Sequence, residues 1–253
     1  MSIDWSPLHT ELALWRAEQM VLPLWWRDDD AIAATSELDR LARLSDDLSL
    51  PVHLAVIPAH AEASLATMVT AHSNLIPTVH GWAHENRAPS GSKKAEFGHP
   101  RVGANDELQR ALSTLRGLFG PSLVPAFVAP WNRLHPSFMQ NLSDLGYAAV
   151  STFLPRPSAH PAPGLLAVNT HIDPIDWRGT RGLLDPDRII TDAVAQLQAR
   201  RRGDVDRTEP FGYLTHHLVH TPDVWTFSHA FLSEMLNGGA TRTLLTEAIK
   251  ETK

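Results

Sequence analysis

The sequence predicts a single α/β domain built on a mostly parallel sheet, open or closed into a barrel. Apolar, strand-like runs alternate about seven times with helix-period segments, and no change of composition divides them. The chain has 253 residues, the size of an ordinary α/β barrel. Residues that invite chemistry (the Asp28-Asp29-Asp30 triplet, His80, Pro130-Trp131, Asp173, Asp176, Trp177 and His216) fall at or just past the C-terminal ends of the expected strands. Parallel barrels gather their active sites there.

Taken in order, residues 4–19 read as a short amphipathic helix that buries Leu8, Leu12, Leu14 and Trp15. The apolar run at 21–26 enters the core as a strand and delivers Arg27 and three aspartates at its end. Thr35 or Ser36 caps a helix to about residue 48, with Leu38, Leu41, Leu44 and Leu48 at helical spacing. Residues 51–58 form a strand between prolines, 61–71 a helix, and 76–79 a strand ending at His80. Residues 86–103 form a polar loop long enough to be functional or mobile, and within it Lys93, Lys94 and Glu96 suggest a solvated face. Asn105 caps a helix to 119, with Leu108, Leu112, Leu115 and Leu118 on one face. Strands follow at 124–129, 147–152, 165–170 and 211–215, with helices at 135–145 and 188–198. Helices at 225–236 and 241–251 end a single domain, 1–253, whose motif-bearing part is 21–220 and whose helical ends are 4–19 and 225–251.

Hydrophobic residues at 43% and charged residues at 20% are values of a globular chain. A net charge of −6 argues against a nucleic-acid partner. The run Arg200-Arg201-Arg202 complements the negative end of its helix. There are no cysteines, so disulfides are excluded and a metal must be held by nitrogen and oxygen. No run approaches the roughly 20 apolar residues of a membrane span, and no basic region precedes an apolar stretch at the start. A soluble, cytoplasmic protein with no membrane partner is expected.

Three adjacent carboxylates repel one another unless solvent, a cation or a shared proton relieves them. His80 and His84, four apart, point the same way if the chain turns helically after the strand, and can then share a metal ion; chance surface histidines are the plain alternative. One aspartate added to this pair gives the His-His-carboxylate set of catalytic zinc sites. A second, adjacent aspartate is then placed to take a proton from water.

The order of these motifs resembles the NodB-homology polysaccharide deacetylases, carbohydrate esterase family four. Arg27-Asp28-Asp29-Asp30 resembles their first motif, His80 and His84 the second, Pro130-Trp131 the third, Asp173-Pro174-Ile175-Asp176-Trp177 the fourth and Leu214-Thr215-His216 the fifth. The resemblance implies a distorted (β/α) barrel of about seven parallel strands, Asp29 as general base, and a divalent metal, zinc by expectation, on Asp30, His80 and His84. The register Asp28 with Asp29 is the alternative. It further implies that Trp131 N–H stabilises the oxyanion and that His216 acts as general acid, oriented by Asp176, with His217 as the fallback acid. Asp28 is then the surplus carboxylate, solvated or bound to a neighbouring cation. Pro130, Trp82, Trp177, Arg27, Asn132 and His217 are the candidate substrate-side residues.

One departure stands out. Ala129 occupies the place where the family's third motif carries an Arg that tunes the base; Arg27 and Arg133 are the candidate substitutes. The activity implied is hydrolytic removal of an N-acetyl or similar acyl group from a carbohydrate or another small amide. A metal-independent, allantoinase-like amidohydrolase and an inactive carbohydrate-binding relative are the alternatives.

Overall fold

The computed structural model describes residues 3–251. Its sheet contains β1 (Leu22–Ala31), β2 (Val52–Val56), β3 (Leu75–His80), β4 (Ala126–Val128), β5 (Ala149–Ser151), β6 (Leu166–Ala167), β7 (Phe211–Thr215) and β8 (Ala240–Arg242). The strand order is β6-β5-β4-β3-β2-β1-β7, with β8 also beside β1, and every pairing is parallel. The helices are α1 (Ser6–Ala17), α2 (Ser36–Leu48), α3 (Ala63–Ala71), α4 (Ala104–Phe119), α5 (Phe138–Asp144), α6 (Pro186–Arg202), α7 (Pro222–Asn237) and α8 (Leu245–Glu251). Beyond β6 the chain turns along β7. His171 and Ile172 N–H donate to Gly212 O at 2.7 and 3.2 Å, and Leu214 N–H donates to Ile172 O at 2.8 Å. The sheet thereby curls into a distorted (β/α) barrel. Gly212 permits this approach, because a Cβ there would lie 2.5 Å from Asn169 O and 2.7 Å from Thr170 Cα.

The organising strand is β1. Leu22, Leu24, Trp25 and Trp26 are buried, as the apolar run requires. The strand also continues through the aspartates to Ala31 instead of ending at residue 26. It can do so because each carboxylate meets a cationic or hydrogen-bonding partner, described below.

Other differences have local causes. Leu14 is exposed and Glu11 is buried in α1, because Arg201 of α6 reaches across to Glu11 at 2.7 Å and to Glu18 at 2.7 Å. Arg200 is fully buried, 3.6 Å from Glu209, so the arginine run docks α6 as well as complementing its end. Gly103, at φ +79°, starts α4 in place of Asn105, whose Oδ1 accepts from Asn141 Nδ2 at 2.9 Å. Residues 240–242 pair with β1 as a strand, which delays the last helix to Leu245. Among the described residues no helix is long and apolar enough to cross a membrane.

His53 joins the sheet to the last helix from inside the core. Its Nδ1–H donates to Trp26 O at 3.2 Å, and its Nε2 accepts from Leu245 N–H at 3.2 Å. Burial pushes its pKa down to about 4, against the raising effect of the Trp26 carbonyl. Protonation would also cancel the acceptor that Leu245 needs. The unfolded chain therefore takes up a proton near the ordinary value of about 6.5 that the folded one refuses. This contribution to stability is complete above that value and is lost as pH falls from 6.5 toward 4. Denaturant midpoints at pH 7 and pH 5 should differ less in His53→Gln than in the parent; an unchanged difference would remove His53 from the acid response.

Candidate active site

The site lies on the C-terminal ends of β1, β3, β4 and β7. Alternation along β1 puts Arg27 and Asp29 on one face and Asp28 on the other. A register shift between Asp28 and Ala31 and a left-handed Asp30, at φ +72°, then break the alternation and re-aim the third carboxylate. Successive aspartates thus face three different environments.

Asp30 meets the histidine pair. Its Oδ1 lies 3.2 Å from His80 Nε2 and 3.4 Å from His84 Nε2. Tetrahedral ligands with bonds of about 2.0–2.1 Å to one ion sit about 3.3 Å apart, so these separations fit a shared centre. Although both nitrogens are close, Asp30 Oδ1 is buried without an aligned hydrogen bond. The three donors converge on a common point rather than bonding one another, and together they form a possible metal site. His80 Nδ1–H donates to Val128 O at 3.2 Å, which turns the Nε2 lone pair toward Asp30. Burial tends to raise the Asp30 pKa, but the close approach and charge of His80, helped by His216 and His84, hold it far below the usual range.

The turn that carries His84 is built from behind. Gly81, at φ +57°, sits where a Cβ would collide with Glu96 Oε2 and Pro130. Glu96 is buried and accepts from Trp82 N–H at 3.0 Å and Ala83 N–H at 2.8 Å. The 92–98 segment is therefore only partly the solvated loop expected: Lys93 and Lys94 are exposed, whereas Glu96 and Phe97 are locked under the ligand turn. His84 also packs against the Trp131 ring at 4.2 Å.

Asp29 is gripped by Arg27. The guanidinium Nε is 2.8 Å from Oδ1, and Nη2 donates to Oδ2 at 3.0 Å. Arg27 also donates to Ser151 Oγ at 2.7 Å, Thr152 O at 3.1 Å and Asn132 Oδ1 at 2.7 Å, so its buried charge is well compensated. Arg133 points elsewhere, to Lys94 O. Spacing of two along one strand was the available signal for the Arg27–Asp29 contact.

Asp28 is neither surplus nor solvated: it is fully buried. Its Oδ2 accepts from Thr215 Oγ1 at 2.6 Å and His217 N–H at 3.0 Å, and its Oδ1 faces His217 Nδ1 at 2.5 Å. Burial opposes the charge on both partners, yet their mutual attraction holds the Asp28 pKa down and the His217 pKa up. This clamp fixes the turn after β7 against β1. It leaves His216 facing the other way, with Nε2 4.0 Å from Asp29 Oδ2 and its ring edge-on to Trp177 at 4.7 Å.

Two expected neighbours lie away from the site. Asp176 is turned into its own loop, where it accepts from Gly179 N–H and Thr180 N–H, both at 3.0 Å. Besides Asp29 and Asp30, the carboxylate that interacts electrostatically with His216 is Asp173, which accepts from Trp177 Nε1 at 2.7 Å and Ile175 N–H at 3.0 Å. Burial raises the Asp173 pKa, while His216 works to lower it. Trp82 packs against the core with the Arg110 guanidinium over its ring at 4.1 Å. Pro130, Trp131 and Asn132 form a tight turn after β4, with Trp131 and Asn132 both left-handed. Half of the left-handed non-glycine residues among the described residues, namely Asp30, His84, Trp131 and Asn132, thus belong to this one region, the clustering that strained functional sites show.

No family model and no curated protein sequence matches the chain. Solved structures do match. A protein from Mycobacterium smegmatis, inferred to be a polysaccharide deacetylase, superposes with a TM-score of 0.66 at 15% identity, covering 91% of this chain and 90% of that one. A family 4 acetyl xylan esterase from Clostridium thermocellum, in complex with a cobalt ion, gives 0.51 at 13% identity over 89% of each chain. A family 4 carbohydrate esterase pseudoenzyme from Bacillus anthracis gives 0.56 at 12% identity, covering 90% of this chain and 66% of that one. The chain shares their fold.

Proposed function

We propose that this chain is a metal-dependent hydrolase that removes an N-acetyl or similar acyl group from a carbohydrate or other small amide. Because the fold is shared with a pseudoenzyme as well as with enzymes, the residues must carry this reading. The observation that carries it is the convergence of Asp30, His80 and His84 beside an arginine-held Asp29 that faces His216.

The nitrogen–nitrogen–oxygen donor set, with no fourth protein ligand among the described residues, fits a catalytic zinc site that keeps a position open. When bound, such an ion supplies Lewis-acid polarisation of the scissile carbonyl and a water more acidic than bulk. Asp29 accepts the proton of the attacking water, and Arg27 holds its carboxylate in place. Trp131 N–H, in the turn beside His84, faces the developing oxyanion. His216 then passes a proton to the departing nitrogen, with the Trp177 ring packed edge-on against it and the Asp173 charge acting on it from nearby.

The test combines metal content with turnover. Purified protein should hold about one zinc per chain, and a chelator should abolish hydrolysis of a panel of N-acetyl sugars and simple acetamides. Asp30→Ala and His84→Ala should each weaken zinc binding by a factor of roughly 10² or more in calorimetric titration. Full turnover of chelated, metal-free protein would instead support the allantoinase-like reading. Metal binding without any hydrolysis would support a binding protein.

A further inference from the structure

We infer that the cleft beside the candidate site receives an uncharged, apolar group on the nitrogen side of the scissile amide. The substrate class is then an N-acylated amine with an aliphatic or aromatic body. This narrows the hydrolase reading and rests on it.

The cleft has a volume of about 520 Å³ and runs between α6, the 171–177 segment and the loop after β5. That is the size of an ordinary small-molecule site. It is continuous with the chemistry through Asn132, which holds Arg27, and through Asp173 and Trp177. Trp177 lies against the His216 ring, so the cleft opens on the side of the residue that protonates the leaving nitrogen.

Its walls are unsuited to a sugar or a phosphorylated substrate. Leu154, Ile175, Leu184 and Ile189 supply aliphatic surface. Its polar side chains are largely engaged already. Asn132 Oδ1 accepts from Arg27, the Asp173 carboxylate accepts from Trp177 and Ile175, and Gln196 Nε2 donates to His171 O. His171 Nδ1 accepts from Gly212 N–H. Few groups remain to replace the water around a ring of hydroxyls. The carboxylates on the wall are Asp173 and Asp192, and no lysine or arginine lines it among the described residues. An anionic substrate would find no counter-charge.

Leu154 gives the second, independent observation. It is half exposed at the rim and left-handed, at φ +74°. Leucine rarely adopts that conformation, and it is held there by Leu154 N–H to Thr170 O at 2.8 Å and Asn169 Nδ2 to Leu154 O at 2.9 Å. A strained backbone that presents an apolar side chain to water beside a cleft is a feature with a use there rather than a folding requirement.

The experiment compares kcat/KM for N-acetylated straight-chain amines from ethyl to hexyl with that for N-acetylglucosamine. The amine series should rise about three- to fourfold per methylene, and N-acetylhexylamine should exceed the sugar. Lengthening the acyl group on a fixed amine should give no such rise. Leu154→Asn suits the left-handed backbone better, so its melting temperature should hold or increase while the slope of the amine series falls. A flat amine series, a preferred sugar, or a slope unchanged in Leu154→Asn would overturn the inference. Calorimetric binding of N-acetylhexylamine to Asp29→Asn reads the cleft without turnover. Binding with no hydrolysis by the parent protein would defeat the hydrolase reading and keep the cleft assignment, whereas hydrolysis with a flat series would defeat the cleft alone.

Discussion

Asp29→Asn should lower turnover by roughly 10³-fold while zinc stays bound at its original stoichiometry. The carboxamide matches the carboxylate in shape but cannot accept a proton from water. It also turns one edge of the Arg27 fork into a poor partner, since that guanidinium now addresses both oxygens at 2.8 and 3.0 Å. Metal should be retained because the carboxylate that meets His80 and His84 is Asp30, one residue on and re-aimed by its left-handed backbone. Elemental analysis and steady-state rates on one preparation decide the matter. Loss of metal together with activity would exchange the roles given to the two aspartates.

Asp28→Ala should act chiefly through stability. Removing this carboxylate strands Thr215 Oγ1, His217 N–H and His217 Nδ1 in a buried site. Breaking one partner of a buried pair costs about 3–5 kcal/mol. For a chain of this length, that corresponds to a fall in melting temperature of roughly 10 °C. Asp28→Asn, which keeps an oxygen for Thr215 and the His217 amide, should lose less. Activity should fall in both variants, because the turn pinned by Asp28 presents His216 to Asp29. Calorimetric melting temperatures equal to that of the parent would show that the clamp does not hold the turn.

The parallel sheet and its C-terminal cluster of reactive groups were legible in the sequence because the strands are continuous apolar runs and the motifs fall at their ends. His80 and His84 were legible from their spacing. What each aspartate does was less accessible. Their separation depends on a register shift and a positive φ at Asp30, neither of which has a signature in the letters Asp-Asp-Asp. The Arg27–Asp29 contact follows from strand alternation, but only once β1 is known to continue past Trp26. Asp173 rather than Asp176 interacts with His216 because the loop closes on Asp176 through its own backbone amides, a tertiary outcome that residue order leaves open. Glu96 was hidden in an apparently solvated stretch, and only its burial under the Gly81 turn reveals its work.

The three carboxylates sit on consecutive residues of a strand that is hydrogen-bonded to β2, β7 and β8. The spacing between the proposed proton acceptor and the candidate metal ligand is therefore a property of one peptide unit in the most tightly framed part of the molecule. Loops around the cleft can be exchanged without retuning that spacing. In engineering terms, the proposed reaction chemistry and the proposed choice of substrate are separable modules. If the proposed function holds, grafting a different 153–163 or 178–185 segment should redirect which amines are accepted, while the candidate site stays in register.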